Sequence, residues 1–259
     1  MAVAVDIKAL LAAGAHFGHK TSRWHPKMAP YIHSKRNGSH IIDLTKTVEA
    51  LDIALGFVTQ TAAEGKQILF VATKRQAEDI VKAMAIEVGM PYVTERWLGG
   101  MLTNSVTTQA RIKRLHDLEA RMASGELANK YNKLEVQRFQ EEIDELNRIY
   151  GGIKNMSGRP AALFIIDIVH DINAVREARK LGLPIVALVD TNADPTLVTY
   201  PVPCNDDAIR TVQLISDYAK QAVEEGKNRA AKTQVTPDKD EAAPAAEKAK
   251  VEPATTDHP

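Results

Sequence analysis

Cysteine is almost missing from these 259 residues: Cys204 stands alone. One thiol excludes an internal disulfide and any cysteine-rich zinc site, and it fits a reducing compartment such as the cytoplasm. No apolar run approaches the roughly 18 residues needed to cross a bilayer. The opening stretch MAVAVDIKALLAAGAHFG has Asp6 and no basic residue before its short apolar run, so it reads as a helix rather than an export signal. Charge of neither sign is in excess, with 33 Lys and Arg against 33 Asp and Glu. That balance argues against a chain that coats nucleic acid indiscriminately and leaves room for one that grips it through a local patch.

The signatures of common catalytic sites are missing too. The first buried apolar run, QILFVAT (67–73), is followed by KRQAED without a glycine, and neither GxGxxG nor a P-loop occurs anywhere. A bulky turn cannot bring its backbone against a pyrophosphate. There is no HExxH and no G-x-S-x-G elbow. Cys204 has no histidine base near it in sequence and reads as structural.

What is present organises the chain. QILFVAT, AALFIID (161–167) and PIVALVD (184–190) are short, continuous apolar runs, the pattern of strands buried on both faces. PYVTE is a weaker candidate, and TYPVPC, broken by prolines, fits an edge strand. Between the runs, Ile80, Val81, Met84 and Val88, and then Val175, Ala178 and Leu181, share helical faces. Alternating strands and helices imply an α/β fold built on a doubly wound parallel sheet with right-handed crossovers. Asn37-Gly38 is a two-residue hairpin signal, and Val48 to Ala62 reads as an amphipathic helix ending at Gly65. From Ser105 to Tyr150 a helical seam (Ile112, Leu115, Leu118, Met122) and, after the turn SGELAN, a seam in heptad rhythm (Val136, Phe139, Ile143, Leu146, Tyr150) imply an antiparallel coiled-coil arm of about 30 Å. The expected layout is a globular unit over 1–104 and 153–226, the arm over 105–152, and a disordered tail over 227–259, where large apolar residues nearly vanish.

The segment His16–His40 holds five of the eight histidines, five Lys/Arg and three aromatics, and no acid. Lys20, Arg23, Lys27, Lys35 and Arg36 are uncompensated there, and Trp24 and Tyr31 can stack or pack. Phosphate contacts supply most sequence-independent nucleic-acid affinity, and aromatic faces add stacking on unpaired bases. Basic and aromatic residues interleaved on a hairpin therefore fit RNA better than a metal. Thr73, Lys74 and Arg75 can hold a phosphate at a helix start. In RWLGG (96–100) the glycines allow successive amides to bind an anion, and a close-packed turn burying Trp97 is the competing reading. Arg111, Lys113 and Arg114 place three cations in four residues, read either as a partner contact or as a solvated helix face. A hard-cation site joining His19 to Asp190 and to Asp206 or Asp207 competes with packing histidines and a helix start rich in acids.

Taken together, the motifs LLAAGAHFGHKTSRWHPKMAPYI, RNGSHIIDLTKT, ILFVATKRQA, RWLGGMLTN, GGIKNM, INAVREARKLGLPIVALVDTNADP and VPCNDDAIR, in that order from Ile7 to about Gly226, resemble bacterial small-subunit ribosomal protein S-two. The resemblance implies a flavodoxin-like sheet with an N-terminal basic β-hairpin and a protruding helical hairpin. It implies no enzyme activity and no cofactor; the divalent cation rests on His19, Asp190 and Asp206 or Asp207 alone. Its partners would be small-subunit rRNA and neighbouring ribosomal proteins between head and body, including the OB-fold protein that captures messenger RNA. No membrane and no small-molecule substrate are implied. On this reading the RNA-binding residues are Lys20, Arg23, Trp24, His25, Lys27, Lys35, Arg36, Asn37, Lys74, Arg75, Arg96, Asn104, Arg111, Lys113 and Arg114. The chain departs from the family pattern at His25, Ser105, Val106 and Cys204.

Overall fold

The computed structural model describes residues 4–235. It opens with α1 (Ile7–Ala13), started by the Asp6 carboxylate accepting from the Lys8 amide and ended by Gly14 in the left-handed region. Three short strands follow, β1 (Phe17–Lys20), β2 (Ile32–Arg36) and β3 (Ser39–Ile42), forming an antiparallel sheet in the order β1-β3-β2. Asn37 and Gly38 join β2 to β3 with φ of 51° and 77°, the two positive angles that a type I′ turn requires. Arg36 is thereby paired with Ser39 and Lys35 with His40.

Next come α2 (Leu44–Ala63), β4 (Ile68–Val71), α3 (Glu78–Glu87) and β5 (Tyr92–Val93). The arm consists of α4 (Ser105–Ala123), α5 (Glu126–Lys130) and α6 (Lys133–Tyr150). The chain then returns through β6 (Ala162–Ile165), α7 (Ile172–Lys180), β7 (Ile185–Val189), β8 (Tyr200–Pro203) and α8 (Ile209–Val235). The last five strands form one all-parallel sheet in the order β5-β4-β6-β7-β8. Renumbered within the sheet this is 2-1-3-4-5, the flavodoxin-like order. β8, with its two prolines, does lie at an edge.

Why the strands carry no alternation is visible in their packing. Ile68, Phe70, Phe164 and Val186 face one layer, made by Leu10 of α1, Leu51 and Val58 of α2, Val81 of α3, and Val212 and Ile215 of α8. Leu69, Val71, Leu163 and Ile165 face the other layer, made by Val175 of α7 with Leu115 and Leu118 of α4 and Ile143 of α6. Both faces of each strand are covered, so both sets of side chains must be apolar. The apolar seam of the arm is continuous with this second layer.

Two expectations are corrected. SGELAN is more than a turn: Gly125, at φ 73°, ends α4, and the short helix α5 inserts before Asn132 opens α6 with a reciprocal Asn132–Glu135 capping box. The chain also does not leave the fold at Gly226. α8 continues nine residues further, to Val235, through KNRAAKTQV, in which Ala, Lys, Arg and Gln outnumber the weaker helix formers. Lys227 Nζ donates to the Val88 carbonyl, which ties this extension to the end of α3. Gly226 is a packing glycine, since a Cβ there would stand 2.4 Å from the Thr59 carbonyl of α2. The rest of the expected tail, 236–259, lies outside the described residues.

Candidate nucleic-acid interface

The small sheet is seated on the C-terminal end of β7 at close range. A Cβ on Gly18 would stand 2.6 Å from Thr191 Cγ2, so only glycine lets β1 approach. The His19 amide donates to Thr191 Oγ1 at 2.9 Å, and the His25 amide to the Thr191 carbonyl at 2.7 Å. Further along, Lys27 Nζ donates to Asp194 Oδ2 and Thr196 Oγ1, both at 2.8 Å. Burial pushes the Asp194 carboxyl up, but Lys27 and the Thr196 bonds outweigh it and bring it down to about 2. The hairpin is thus a fixed projection of the α/β body.

Lys20, Ser39 and Arg36 fall on one rung of the small sheet, because Lys20 and Arg36 both pair with Ser39. Side chains on one rung share a face, so two exposed cations stand about 10 Å apart across three strands. Lys20, Arg23, Lys35 and Arg36 are all exposed and make no ion pair among the described residues. Trp24, 38 % exposed, packs against the buried ring of His40 in a tilted contact, at a centroid distance of 5.3 Å. Burial, helped by nearby Lys35, holds His40 below its usual pKa. Lys27 and half-buried His25 are engaged with the chain itself: Lys27 with Asp194, and His25 through Nδ1, which accepts from the Lys27 amide. Asn37 sits exposed at the tip.

The second expected phosphate contact is divided. Arg75 is exposed and unpaired among the described residues, whereas Lys74 points inward. Lys74 Nζ lies 2.7 Å from Asp207, 2.8 Å from Asp206 and 3.1 Å from Asp167. Burial alone would lower its pKa; the three carboxylates outweigh this and hold it above the usual lysine value. It fills the crevice between the C-terminal ends of β4 and β6, where sheets of this order bind their ligands. Lys74 is thus engaged by carboxylates of its own chain, donating to Asp167 and Asp206 and paired with Asp207, and Arg75 is the outward-facing cation of this loop.

The third contact is divided in the same way. Arg96 is exposed, and Asn104 Oδ1 accepts from Thr107 in the first turn of α4. Trp97 is buried, as the competing reading had it, and the amides of the loop do bind an anion. That anion is Glu177 of α7, which sequence reasoning missed. No local signal marks it; its partners are 74 to 80 residues away. On the arm, Arg111 and Lys113 are exposed, while Arg114 makes two 3.0 Å bonds to Glu142 across the helix pair.

The histidine and acid cluster is partly assembled. His19 Nδ1 lies 3.0 Å from Asp190 Oδ2, and its Nε2 lies 3.6 Å from Asp207 Oδ2. One donor atom from each of these residues falls within 4.8 Å of the others. The bond to Asp190 raises the His19 pKa against its burial. Asp206 does not join them; it faces Lys74, and burial beside Asp167 and Asp190 pushes it up to about 7. The acids do not fall in the first turn of α8 either, which begins at Ile209; Asn205 Oδ1 braces the turn before it, accepting from the Asp207 and Ala208 amides. Among the described residues no helix is long and apolar enough to cross a membrane.

Known proteins share this arrangement of sequence. A Small ribosomal subunit protein uS2 from Roseiflexus sp. (strain RS-1) is 51 % identical over 225 residues, covering 87 % of this chain and 86 % of its own. The protein of that name from Chloroflexus aggregans is 51 % identical over 87 % of this chain and 94 % of its own. Its counterpart from Syntrophobacter fumaroxidans is 47 % identical over 89 % and 84 %. The model of the family described as Ribosomal protein S2 matches residues 10–226, and the chain belongs to that family.

Proposed function

We propose that this protein is a structural, RNA-binding constituent of the bacterial small ribosomal subunit and works in translation. It binds small-subunit rRNA and neighbouring ribosomal proteins between head and body, and it supports the docking of the OB-fold protein that holds messenger RNA. Family members are structural constituents of the ribosome, not enzymes. The observation that carries the RNA reading is a set of exposed cations that make no ion pair among the described residues, on a hairpin seated on the body: Lys20 and Arg36 on the rung with Ser39, Lys35 on the opposite face of the ribbon, and Arg23 just after β1. Rigid placement lets the cations meet phosphates without first losing conformational freedom. Trp24, packed against His40 on the face that Lys35 shares, adds a partly exposed aromatic ring. Arg75, Arg96, Arg111 and Lys113 extend the same reading to the loop after β4 and to the arm.

The test is co-sedimentation of the full chain with small subunits lacking this protein, over a range of salt. Arg23→Ala, Lys35→Ala and Arg36→Ala together should weaken incorporation and reduce the salt slope by about 0.7–0.9 per lost contact. Normal assembly of the triple variant refutes the hairpin assignment.

A second reading, in which His19, Asp190 and Asp207 hold a divalent cation, is supported by the convergence of their donor atoms. The cation would be structural, bracing β1 against β7 and the entry to α8. Metal content of the purified full chain before and after His19→Ala checks it.

A further inference from the structure

Five hydrogen bonds converge on one carboxylate at the root of the arm. Glu177 Oε1 accepts from Trp97 Nε1 at 3.0 Å and from the Gly100 amide at 2.7 Å. Oε2 accepts from the Leu102 amide, the Thr103 amide and Thr103 Oγ1, each at 3.0 Å. Three backbone amides aimed at one point form an anion nest, here completed by an indole and a hydroxyl. Gly100 reaches its place with φ of 90°, a region side chains rarely enter. The loop ends at Asn104, and α4 begins at the next residue. The carboxylate belongs to α7, which packs in the same layer. The nest is therefore where the arm is fastened to the sheet.

We propose that residues 97–103 form an anion site whose ligand is supplied within the chain, and that Glu177 is the positioning residue that sets the arm on the body. Both carboxylate oxygens are in use and every neighbour is a donor, so the site selects an anion with two acceptor atoms. A glutamine of the same shape would turn an NH2 group toward N–H donors and lose one half of the set. Once emptied, the nest should accept a small carboxylate from solution. The arm as an RNA or partner contact rests on the function proposed above; the nest and its fastening do not.

The experiment uses the full chain with spin labels on Asn129→Cys, near the arm tip, and Lys82→Cys, on α3; both parent residues are exposed, and the native Cys204 is buried. The parent should give a narrow distance distribution. Glu177→Ala and Glu177→Gln should broaden it, and formate in excess should narrow the Glu177→Ala distribution again, whereas formamide should not. Amide exchange at Gly100, Leu102 and Thr103 should quicken by about tenfold or more in both variants while Leu69 and Phe164 keep their protection. Unchanged widths, rescue by formamide equal to that by formate, or protection lost equally in the sheet would overturn the proposal. Both readouts are made without RNA, so their result is independent of whether the chain binds subunits.

Discussion

Lys74 Nζ stands 2.8 Å from Asp206 Oδ1, joining the loop after β4 to the loop after β8 across 132 residues of chain. With Asp167 and Asp207 also in reach, one ammonium holds together loops from three strand ends. Lys74→Ala leaves Asp206, whose side chain is 2 % exposed, without its counter-charge. Breaking a buried ion set typically costs about 3–5 kcal/mol; protonation of Asp206, already near 7, softens this to about 2–4 kcal/mol. Denaturant unfolding at neutral pH should show that loss, and the melting temperature should fall by about 5–15 °C. An unchanged midpoint would mean that the ion set adds nothing.

Lys27 and Asp194 make a prediction about acid. The folded Asp194 pKa is about 2, below its ordinary value of 3.8, so the pair stabilises the fold above the ordinary value. That contribution disappears as pH falls from about 4 toward 2. Lys27→Ala removes one source of the depression. Parent and variant should therefore differ most above pH 4 and converge toward pH 2, as read from urea unfolding at stepped pH. Lys27 is half exposed, so the difference at neutral pH should stay below about 1 kcal/mol. The salt slope of subunit binding should not change, because the ammonium is engaged with Asp194 and Thr196.

These two pairs show what was legible in the sequence and what was not. ILFV in β4 and ALFI in β6 were readable as strands because burial on both faces removes alternation, which is a property of each run alone. Asn37-Gly38 was readable because the φ angles of its turn are a local demand. The heptad seam of the arm was readable for the same kind of reason. Whether a given cation is free is not local. Lys74 and Arg75 are adjacent, yet one is locked among carboxylates 93 to 133 residues away and the other faces solvent. Glu177 fills the nest in RWLGG from a different helix, and no spacing rule connects them. Of the hairpin cations, Lys27 alone is claimed by the chain, through an acid that folding brings beside it. The boundary after Gly226 was drawn from composition, because large apolar residues nearly vanish there, yet α8 runs past it. The use of Gly226, the close approach of α2, is visible only in three dimensions.

Two of the three cations of RIKR should behave differently from the third. Arg111 and Lys113 are exposed and unpaired among the described residues, and Arg114 is bound to Glu142 through two contacts. Arg111→Ala with Lys113→Ala should lower the salt slope of subunit binding by up to about 2 if both reach phosphates, with the melting temperature unmoved. Arg114→Ala should leave the slope alone and weaken the arm by less than about 1 kcal/mol, since both partners are partly exposed. An equal fall in slope for Arg114→Ala would show that the pair opens to reach RNA.

Gly226→Ala sets helix propensity against packing. Alanine in a helix interior is favoured over glycine by about 1 kcal/mol, so an isolated or frayed helix would gain from the change. In α8 the added Cβ would lie 2.4 Å from the Thr59 carbonyl, 2.7 Å from Ala62 Cβ and 3.0 Å from the Ala63 amide. Two of these neighbours are backbone of a long helix that cannot give way locally, so α8 must lift off α2. Overpacking of this kind costs about 1–3 kcal/mol, which outweighs the propensity gain. Asn228→Ala, two residues on and exposed, should stay within about 0.5 kcal/mol of the parent. Thermal unfolding of both variants decides the matter. Loss of stability in Gly226→Ala alone places the α2–α8 contact at residue 226, whereas a gain in both variants would mean that α8 has already parted from α2 there.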